Sequence, residues 1–339
     1  MSSDHSILQS ALKWLDEGRQ IALATVVQTW GSAPQPVGSQ LLIDSAGAFL
    51  GSVSGGCVEG AVITEALDVI DSGKPVLMEF GVADETAWQV GLACGGTIRI
   101  FVESIDAVKA GFLKQIVSSR KDRVAVAQIT DLASGKQRLV MAKDSAADRL
   151  ATELGDGFRF DKSCVVGDEN EVFINIFNPA LKLVIIGAVH IAQAVAPIAL
   201  LTGYDVTVID PRGSFASDAR FEGVELIAQW PDEVLDRFDL DGRTAFVALT
   251  HDPKIDDPAL RMALASQCFY IGALGSRRTH AARLERLEDV PDLARIDGPI
   301  GLDIGGRGAP EIAISIMAKM TSALRQGNKS DKGDKASKD

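Results

Sequence analysis

The first half of the chain contains apolar runs of strand length that are separated by glycine-rich turns. Helical periodicity occurs beside these runs, at Ser6–Glu17 and Val58–Ser72. The predicted strands are Ile21–Gln28, Gln40–Ile43, Ala48–Val53, Thr97–Glu103, Arg123–Ile129, Arg138–Ala142 and Glu171–Phe177. Strands and helices that mix in this way predict an N-terminal α+β domain over residues 1–178.

After Asn178 and Pro179, a dipeptide that commonly interrupts regular structure, the pattern changes to strands and helices in alternation. The predicted strands are Lys182–Ile186, Asp205–Ile209, Val224–Ile227, Thr244–Leu249 and Phe269–Ile271, and the predicted helices are Ile191–Leu201, Pro231–Phe238 and Arg277–Leu287. This alternation predicts an α/β fold, a Rossmann-like doubly wound parallel sheet over residues 179–326. The polar tail at residues 327–339 has no apolar period and is expected to be disordered.

The composition of the chain makes some classes of binding partner and some cell compartments unfavourable. The 339 residues include 34 Lys and Arg against 46 Asp and Glu, a net charge of −12 that disfavours nucleic acid as a partner. The first residues fit an amphipathic helix rather than a signal peptide, and the apolar stretch near residue 190 is interrupted by polar residues and proline, so we expect no membrane contact. The four widely spaced cysteines fit a reducing cytoplasm.

The junction of the first predicted strand and helix in the second half resembles a dinucleotide-binding turn. Gly187 and Ala192 match the first and third positions of the G-x-G-x-x-G/A pattern, whereas Val189 replaces the glycine that lets a pyrophosphate approach. Asp210 ends the next strand, where an acid binds ribose hydroxyls in such folds. NAD(P) binding is therefore one interpretation, and a Rossmann fold kept only as a scaffold is the other.

Further polar residues follow the predicted strands and are expected to share one rim of the sheet with Gly187. They include His251, His190 at a helix start, and the segment Gly275–Arg278. Ser276 and the two arginines at a helix start are suited to phosphate, because free N–H groups and guanidinium groups both bind anions. A capped helix with two solvated arginines is the alternative.

Two loops of the first half place a cysteine beside paired glycines. Gly55 and Gly56 precede Cys57, and two glycines follow Cys94. Cys57 is predicted to lie at a helix start, where the partial positive charge increases thiol reactivity and metal affinity, while Glu59 opposes part of that effect. Cys164 and Cys268 are interpreted as small buried apolar residues.

These motifs, in their order and spacing, resemble the XdhC/CoxI family, accessory proteins of the xanthine dehydrogenase class of molybdenum hydroxylases. The matching segments are TWGSAPQPVGSQ, GSVSGGCVEG and LACGG in the first half, and LVIIGAVHIAQA, VTVIDPR, THDPKIDDPAL, YIGALGSRR and GPIGLDIGGRGAPEIAISIMA in the second.

The resemblance implies a cytoplasmic protein that binds molybdenum cofactor, as molybdopterin or its dinucleotide form, and protects it while a cysteine desulfurase supplies its sulfido ligand. The protein then delivers the cofactor to an apo molybdenum hydroxylase. In this chain, the resemblance makes Cys57 a candidate molybdenum contact. The residues expected to bind the cofactor are Cys57, Gly55, Gly56, Glu59, Cys94, Gly187, His190, Asp210, His251, Gly275, Ser276, Arg277, Arg278 and Asp303.

Competing interpretations are an NAD(P)-dependent oxidoreductase that uses the second half and a thiol-based transferase centred on Cys57. A maturation chaperone rather than a turnover enzyme is the leading expectation. A homodimer is the expected assembly, because two-fold dimers are the commonest oligomers of soluble proteins.

Overall fold

The computed structural model describes residues 3–31, 35–81, 96–167, 171–213, 215–216 and 220–326. Cys94 and the tail at residues 327–339, for both of which the sequence made predictions, lie outside these ranges. The chain divides into two compact units that meet in sequence at Pro179 and Ala180. Each unit is described by itself.

Within its described residues, the N-terminal unit contains two antiparallel sheets and four α-helices. The helices are α1 (Ser3–Asp16), α2 (Glu59–Ser72), α3 (Ala107–Lys121) and α4 (Ala151–Phe160). The first sheet has the order β3-β2-β1-β5-β4, from β1 (Ile21–Trp30), β2 (Gln40–Asp44), β3 (Phe49–Gly51), β4 (Val76–Phe80) and β5 (Thr97–Ser104). The second has the order β7-β6-β9-β8, from β6 (Val126–Asp131), β7 (Gln137–Met141), β8 (Cys164–Val166) and β9 (Val172–Phe177).

Strand β1 is buried on both of its faces, which explains its nearly continuous apolar run. Ala22, Ala24 and Val26 belong to a core that includes the apolar face of α2. Ile21 and Leu23, on the alternate face, belong to a second core with apolar residues of α1 and α3. The first sheet is therefore packed between helices, and its strand β3 leads into the loop that carries Cys57.

Within its described residues, the C-terminal unit is built on one parallel sheet of six strands. These are β10 (Leu181–Ile186), β11 (Tyr204–Ile209), β12 (Glu225–Ile227), β13 (Thr244–Ala248), β14 (Tyr270–Ala273) and β15 (Ile296–Asp297). Their spatial order is β12-β11-β10-β13-β14-β15, which is the 3-2-1-4-5-6 order of a Rossmann fold. The predicted fold class is confirmed, with antiparallel sheets in the first half and a parallel sheet in the second.

Helices cover both faces of this parallel sheet. They are α5 (His190–Leu201), α6 (Pro231–Val234), α7 (Pro253–Leu264), α8 (Arg277–Arg286) and α9 (Ala309–Gln326). Buried residues of α5 and α9 share one core, and those of α6 and α7, with Leu284 of α8, share the other. Because the strands are parallel, the loops that follow them emerge at one edge of the sheet, where ligands of open α/β sheets bind.

No helix in the described ranges is long and apolar enough to cross a membrane.

Candidate functional site

The loop before α2 is organised by the carboxylate of Glu59, which lies almost completely buried beneath it. Oε1 accepts hydrogen bonds from Ser52 Oγ at 2.7 Å, Val53 N at 3.2 Å and Ser54 N at 2.9 Å. Oε2 accepts from Ser54 Oγ and, at 2.9 Å, from Gly56 N. Five donors on one carboxylate fix the path of the loop around it.

The hydroxyl groups of two serines accept hydrogen bonds from the remaining backbone amides of this loop. Ser54 Oγ accepts from Cys57 N at 3.0 Å and Val58 N at 2.9 Å, and Ser52 Oγ accepts from Gly55 N at 2.9 Å. All six backbone N–H groups from residue 53 to residue 58 therefore donate to side chains of the loop itself. A ligand here would meet the thiol of Cys57, which is exposed, rather than free backbone donors.

The same contacts determine the protonation of Glu59. Burial by itself raises the pKa of this carboxyl group, but the hydrogen bonds from Ser54 and Ser52 outweigh burial and lower the pKa to about 2. Glu59 is therefore ionised at neutral pH and holds the loop in place. Its predicted contact with cofactor stays a prediction, because its oxygens already accept bonds from the loop.

The paired glycines provide the sharp bend that presents Cys57. Gly55 and Gly56 adopt φ angles of +72° and +110°, which side chains other than glycine rarely adopt. Helix α2 begins at Glu59, two residues beyond Cys57. No group of three or more His, Cys, Asp or Glu side chains able to hold a metal occurs within the described residues.

In the C-terminal unit, the turn after β10 has the tight geometry predicted for Gly187. Its φ is +105°, and a Cβ atom there would lie 2.5 Å from Thr250 Cγ2, so only glycine fits. Val189 precedes the helix in extended conformation, and His190 begins α5 with an exposed side chain. The turn is therefore the predicted strand-to-helix junction of a Rossmann fold.

Asp210 is completely buried at the end of β11. Its Oδ2 accepts from Ala188 N at 2.7 Å and from Arg212 Nη2 at 2.8 Å, and its Oδ1 accepts from the backbone N and the Nε of Arg212, both at 2.9 Å. Burial by itself raises the pKa of Asp210, but the bonds from Arg212 and Ala188 outweigh burial and hold the pKa below its usual range. A ribose hydroxyl would have to displace one of these bonds. Ribose binding at Asp210 stays a prediction, and the sequence analysis missed the role of Arg212.

The loops after β13 and β14 are linked by a buried ion pair that the sequence analysis did not identify. Arg283 and Asp256, whose side chains are 1% and 2% exposed, approach to 3.8 Å between Nη2 and Oδ2. Asp256 accepts from Thr250 Oγ1 at 2.7 Å and His251 N at 3.1 Å, and Arg283 donates to Leu274 O at 2.8 Å. Burial raises the pKa of Asp256 and lowers that of Arg283.

At the start of α8, Ser276 caps the helix, and its Oγ accepts from Thr279 N at 3.1 Å. Arg277 and Arg278, which follow it, are both exposed. Ser276 is therefore the cap of this helix, and binding of phosphate by Ser276 and the two arginines stays a prediction.

A pocket of about 400 Å³ opens beside this helix start. It brings together three of the predicted site residues, namely Gly275, Arg277 and Asp303. The other lining residues are Leu274, Pro299, Ile300, Gly301, Leu302, Ile304, Gly305, Gly306, Ile312 and Ser315. Gly187, His190, Asp210, His251, Ser276 and Arg278 are not among the residues that line it.

The loop that forms much of this pocket is tied to α9. Leu302 and Ser315 exchange two bonds, one from Ser315 Oγ to Leu302 O and one from Leu302 N to Ser315 O at 3.2 Å. Glu311 Oε2 accepts from Arg307 N at 2.8 Å and Gly308 N at 3.3 Å. The sequence indicated only Asp303 in this loop, because the segment has no helical or strand period.

Two family models match the chain. The model described as the XdhC and CoxI family matches residues 14–81, which include the Cys57 loop. The model described as the XdhC Rossmann domain matches residues 183–320, which include the pocket. The matches therefore fall on both compact units.

Individual proteins are similar over almost the whole chain. The molybdenum cofactor insertion chaperone PaoD of Escherichia coli is 30% identical, over 95% of this chain and 89% of its own length. A Bacillus subtilis protein described as a probable xanthine dehydrogenase subunit is 26% identical, over 96% and 99% of the two chains. A crystal structure described as a xanthine dehydrogenase from Bacillus halodurans has the same fold, with a TM-score of 0.76, 24% identity and 97% of each chain covered. This chain belongs to the XdhC and CoxI family.

Proposed function

We propose that this chain is a maturation factor of molybdenum hydroxylases. In this proposal it binds molybdenum cofactor, protects it while a cysteine desulfurase installs the sulfido ligand, and delivers it to the apo-enzyme. The observation that carries the proposal is the exposed Cys57 thiol on a loop fixed by its own side chains. The name of the relative PaoD, a molybdenum cofactor insertion chaperone, supports the same role.

Each unit, taken by itself, offers a group suited to part of the cofactor. Thiolate sulfur is a soft ligand, and a thiol held in one position can contact molybdenum without the loop having to reorganise. Arg277 and Arg278 are exposed cations at a helix start, where a phosphate is stabilised by guanidinium groups. Cys57 is thus suited to the metal and the two arginines to an anionic tail, and neither role requires turnover chemistry of the chain.

The contacts favour this role over the NAD(P)-dependent alternative. The acid at the ribose position, Asp210, is fully bonded to Arg212 and Ala188. Val189 occupies the position at which dinucleotide-binding turns have a glycine. Titration with NAD(H) and NADP(H) is expected to show no saturable binding in the micromolar range.

The test is the cofactor content of the purified protein. We expect near-stoichiometric molybdenum and pterin after anaerobic expression in a host that makes the cofactor, and loss of molybdenum in Cys57→Ala. Cys164→Ala is the matched control, because that thiol is only half-exposed and lies on strand β8. We expect the control to retain the cofactor.

Two results would overturn the proposal in different ways. Absence of molybdenum and pterin from the wild-type protein, even after reconstitution with free cofactor, would remove the maturation role. Unchanged molybdenum in Cys57→Ala would remove the metal contact. Replacing an exposed thiol changes stability by less than about 0.5 kcal/mol, so loss of cofactor would not reflect unfolding.

A further inference from the structure

One edge of the first antiparallel sheet exposes an uncharged, apolar stretch of chain. Strand β3 is the edge strand in the order β3-β2-β1-β5-β4, and each of its three residues is exposed. Phe49 and Leu50 are 50% and 40% exposed. The opposite edge strand, β4, carries the exposed Glu79, and charges of this kind protect sheet edges from other strands. Strand β3 has no such protecting charge.

Two backbone groups of β3 point away from the sheet. At the ends of the strand, Ala48 O accepts a hydrogen bond from β2 at 2.9 Å, and Ser52 N donates one to β2 at 3.1 Å. Because the N–H and the C=O of a planar trans peptide point in opposite directions, Phe49 N–H and Gly51 C=O point away from β2. Neither group forms a hydrogen bond within the described residues, so both are open to another strand.

These two groups complement each other in a second copy of the chain. When two β3 strands lie antiparallel with Leu50 facing Leu50, Phe49 of each copy lies opposite Gly51 of the other. Each Phe49 N–H then faces a Gly51 C=O, and the two hydrogen bonds are related by a two-fold axis. The Phe49 ring also lies beside a residue without a side chain, and aromatic side chains in this position stabilise edge glycines. The edge is therefore complementary to itself.

We propose that β3 pairs with β3 of a second copy, so that the two five-stranded sheets join across a two-fold axis. The occupant is a second copy because the edge supplies both the donor and the acceptor of each new bond. Pairing also covers the exposed side chains of Phe49 and Leu50. Only three residues of each strand pair, and interfaces that bury less than about 1,200 Å² belong to weak complexes. We therefore expect a dissociation constant in the micromolar range.

Sedimentation equilibrium of the full chain measures this association. We expect the mass to rise with protein concentration from that of one chain toward that of two. Phe49→Lys should weaken the dimer by about tenfold or more, because it places two like charges on the same face of the joined sheet.

Leu67→Lys is the matched control, because Leu67 is also an exposed apolar residue but lies on α2. It should change the dissociation constant by less than about threefold. Both positions are exposed, so the circular dichroism of each variant should match that of the wild type.

Disulfide formation tests the register of the pairing. The two Leu50 residues would form a non-hydrogen-bonded pair with Cα atoms about 4.5 Å apart, a distance that a disulfide can span. Leu50→Cys, combined with Cys57→Ala to remove the exposed native thiol, should form a covalent dimer on oxidation. Val108→Cys in the same background is the control, because Val108 is exposed on α3 rather than on the edge strand. It should run as a single chain on a non-reducing gel.

The outcomes decide between this interface and its absence. A single-chain mass at every concentration would overturn the proposal, and so would a dimer that Phe49→Lys leaves unchanged. A dimer that Phe49→Lys weakens, but that Leu50→Cys does not cross-link, would overturn the two-fold pairing at Leu50. Weakening by Phe49→Lys together with cross-linking of Leu50→Cys, and neither effect in the controls, would support it. Each of these results is independent of whether the protein carries molybdenum.

Discussion

Two glycine-rich loops of this protein, the Cys57 loop and the loop from Gly301 to Gly308, use their acidic residues in opposite ways. In the Cys57 loop, Glu59 is buried and accepts five hydrogen bonds, so the carboxylate shapes the loop and the thiol is left exposed. In the loop from Gly301 to Gly308, Glu311 caps the turn from the surface, while Asp303 remains without a bond among the described residues. An acid beside paired glycines can therefore be part of the scaffold or be left available for a ligand, and only its contacts show which.

The largest expected effect on stability comes from adding a side chain to the loop from Gly301 to Gly308. Gly301→Ala should lower the free energy of unfolding by about 2–4 kcal/mol, because φ is +92° and the new Cβ would meet Ser315 and the backbone of Ile316. Urea unfolding measures this loss. Gly305→Ala, at φ +76° with open space around it, is the control and should cost only about 1 kcal/mol. Equal losses would show that the loop is not tied to α9.

Removing the charge beneath the first loop should have the next largest effect. Glu59→Gln is expected to cost about 2 kcal/mol at pH 7, because an amide replaces one acceptor oxygen by a donor that faces N–H and O–H groups. Glu311→Gln, whose carboxylate is at the surface, should cost less, because water can take over the lost bonds.

Acidification should reduce the difference between wild type and Glu59→Gln. The pKa of Glu59 is lowered to about 2 in the folded chain, whereas an unfolded glutamate titrates near 4.3. Its contribution is therefore complete above about pH 5 and is lost as the pH falls from there toward 2. Unfolding curves of the two proteins between pH 7 and pH 3 check this, and a constant difference would contradict the assigned role of the carboxylate.

The smallest effect is expected for a second glycine of the Cys57 loop. Gly56→Ala should cost about 1 kcal/mol, because its φ of +110° is unfavourable but no atom lies within 4 Å of the added Cβ. Gly60→Ala, within helix α2 and equally open, should instead stabilise the protein slightly through helix propensity. Opposite signs for these two substitutions would confirm that strain, rather than crowding, limits the first loop.

Local patterns predicted much of the fold and part of the candidate site. The apolar runs that became β10, β11 and β13 are buried central strands, and their alternation with helices indicated the parallel sheet. The positions of Gly187 and Gly275 followed from the strand-to-helix junctions. These features depend on residues that are close in sequence, which is why periodicity and spacing were sufficient.

Features that depend on distant residues were not predictable in this way. Arg283 and Asp256 lie on two different helices, and both side chains are buried. Nothing in the sequence distinguishes either of them from an ordinary charged residue of a helix surface, so their pairing could not be predicted. The sequence analysis predicted contact between Glu59 and the cofactor, and it missed the hydrogen bonds that Glu59 accepts from Ser52 and Ser54. The pocket loop lacks periodicity, so its apolar lining became visible only in three dimensions.

The six hydrogen-bonded amides of the Cys57 loop also determine the dynamics of this segment. Exposed glycine loops ordinarily open readily, and their amide protons exchange freely with water. Gly55 and Gly56 lie at the surface, yet their N–H groups are bonded to Ser52 and Glu59. Hydrogen exchange in this loop therefore requires a cooperative opening, as in a helical turn, and the thiol is carried by a segment that remains ordered on timescales at which most surface loops fluctuate.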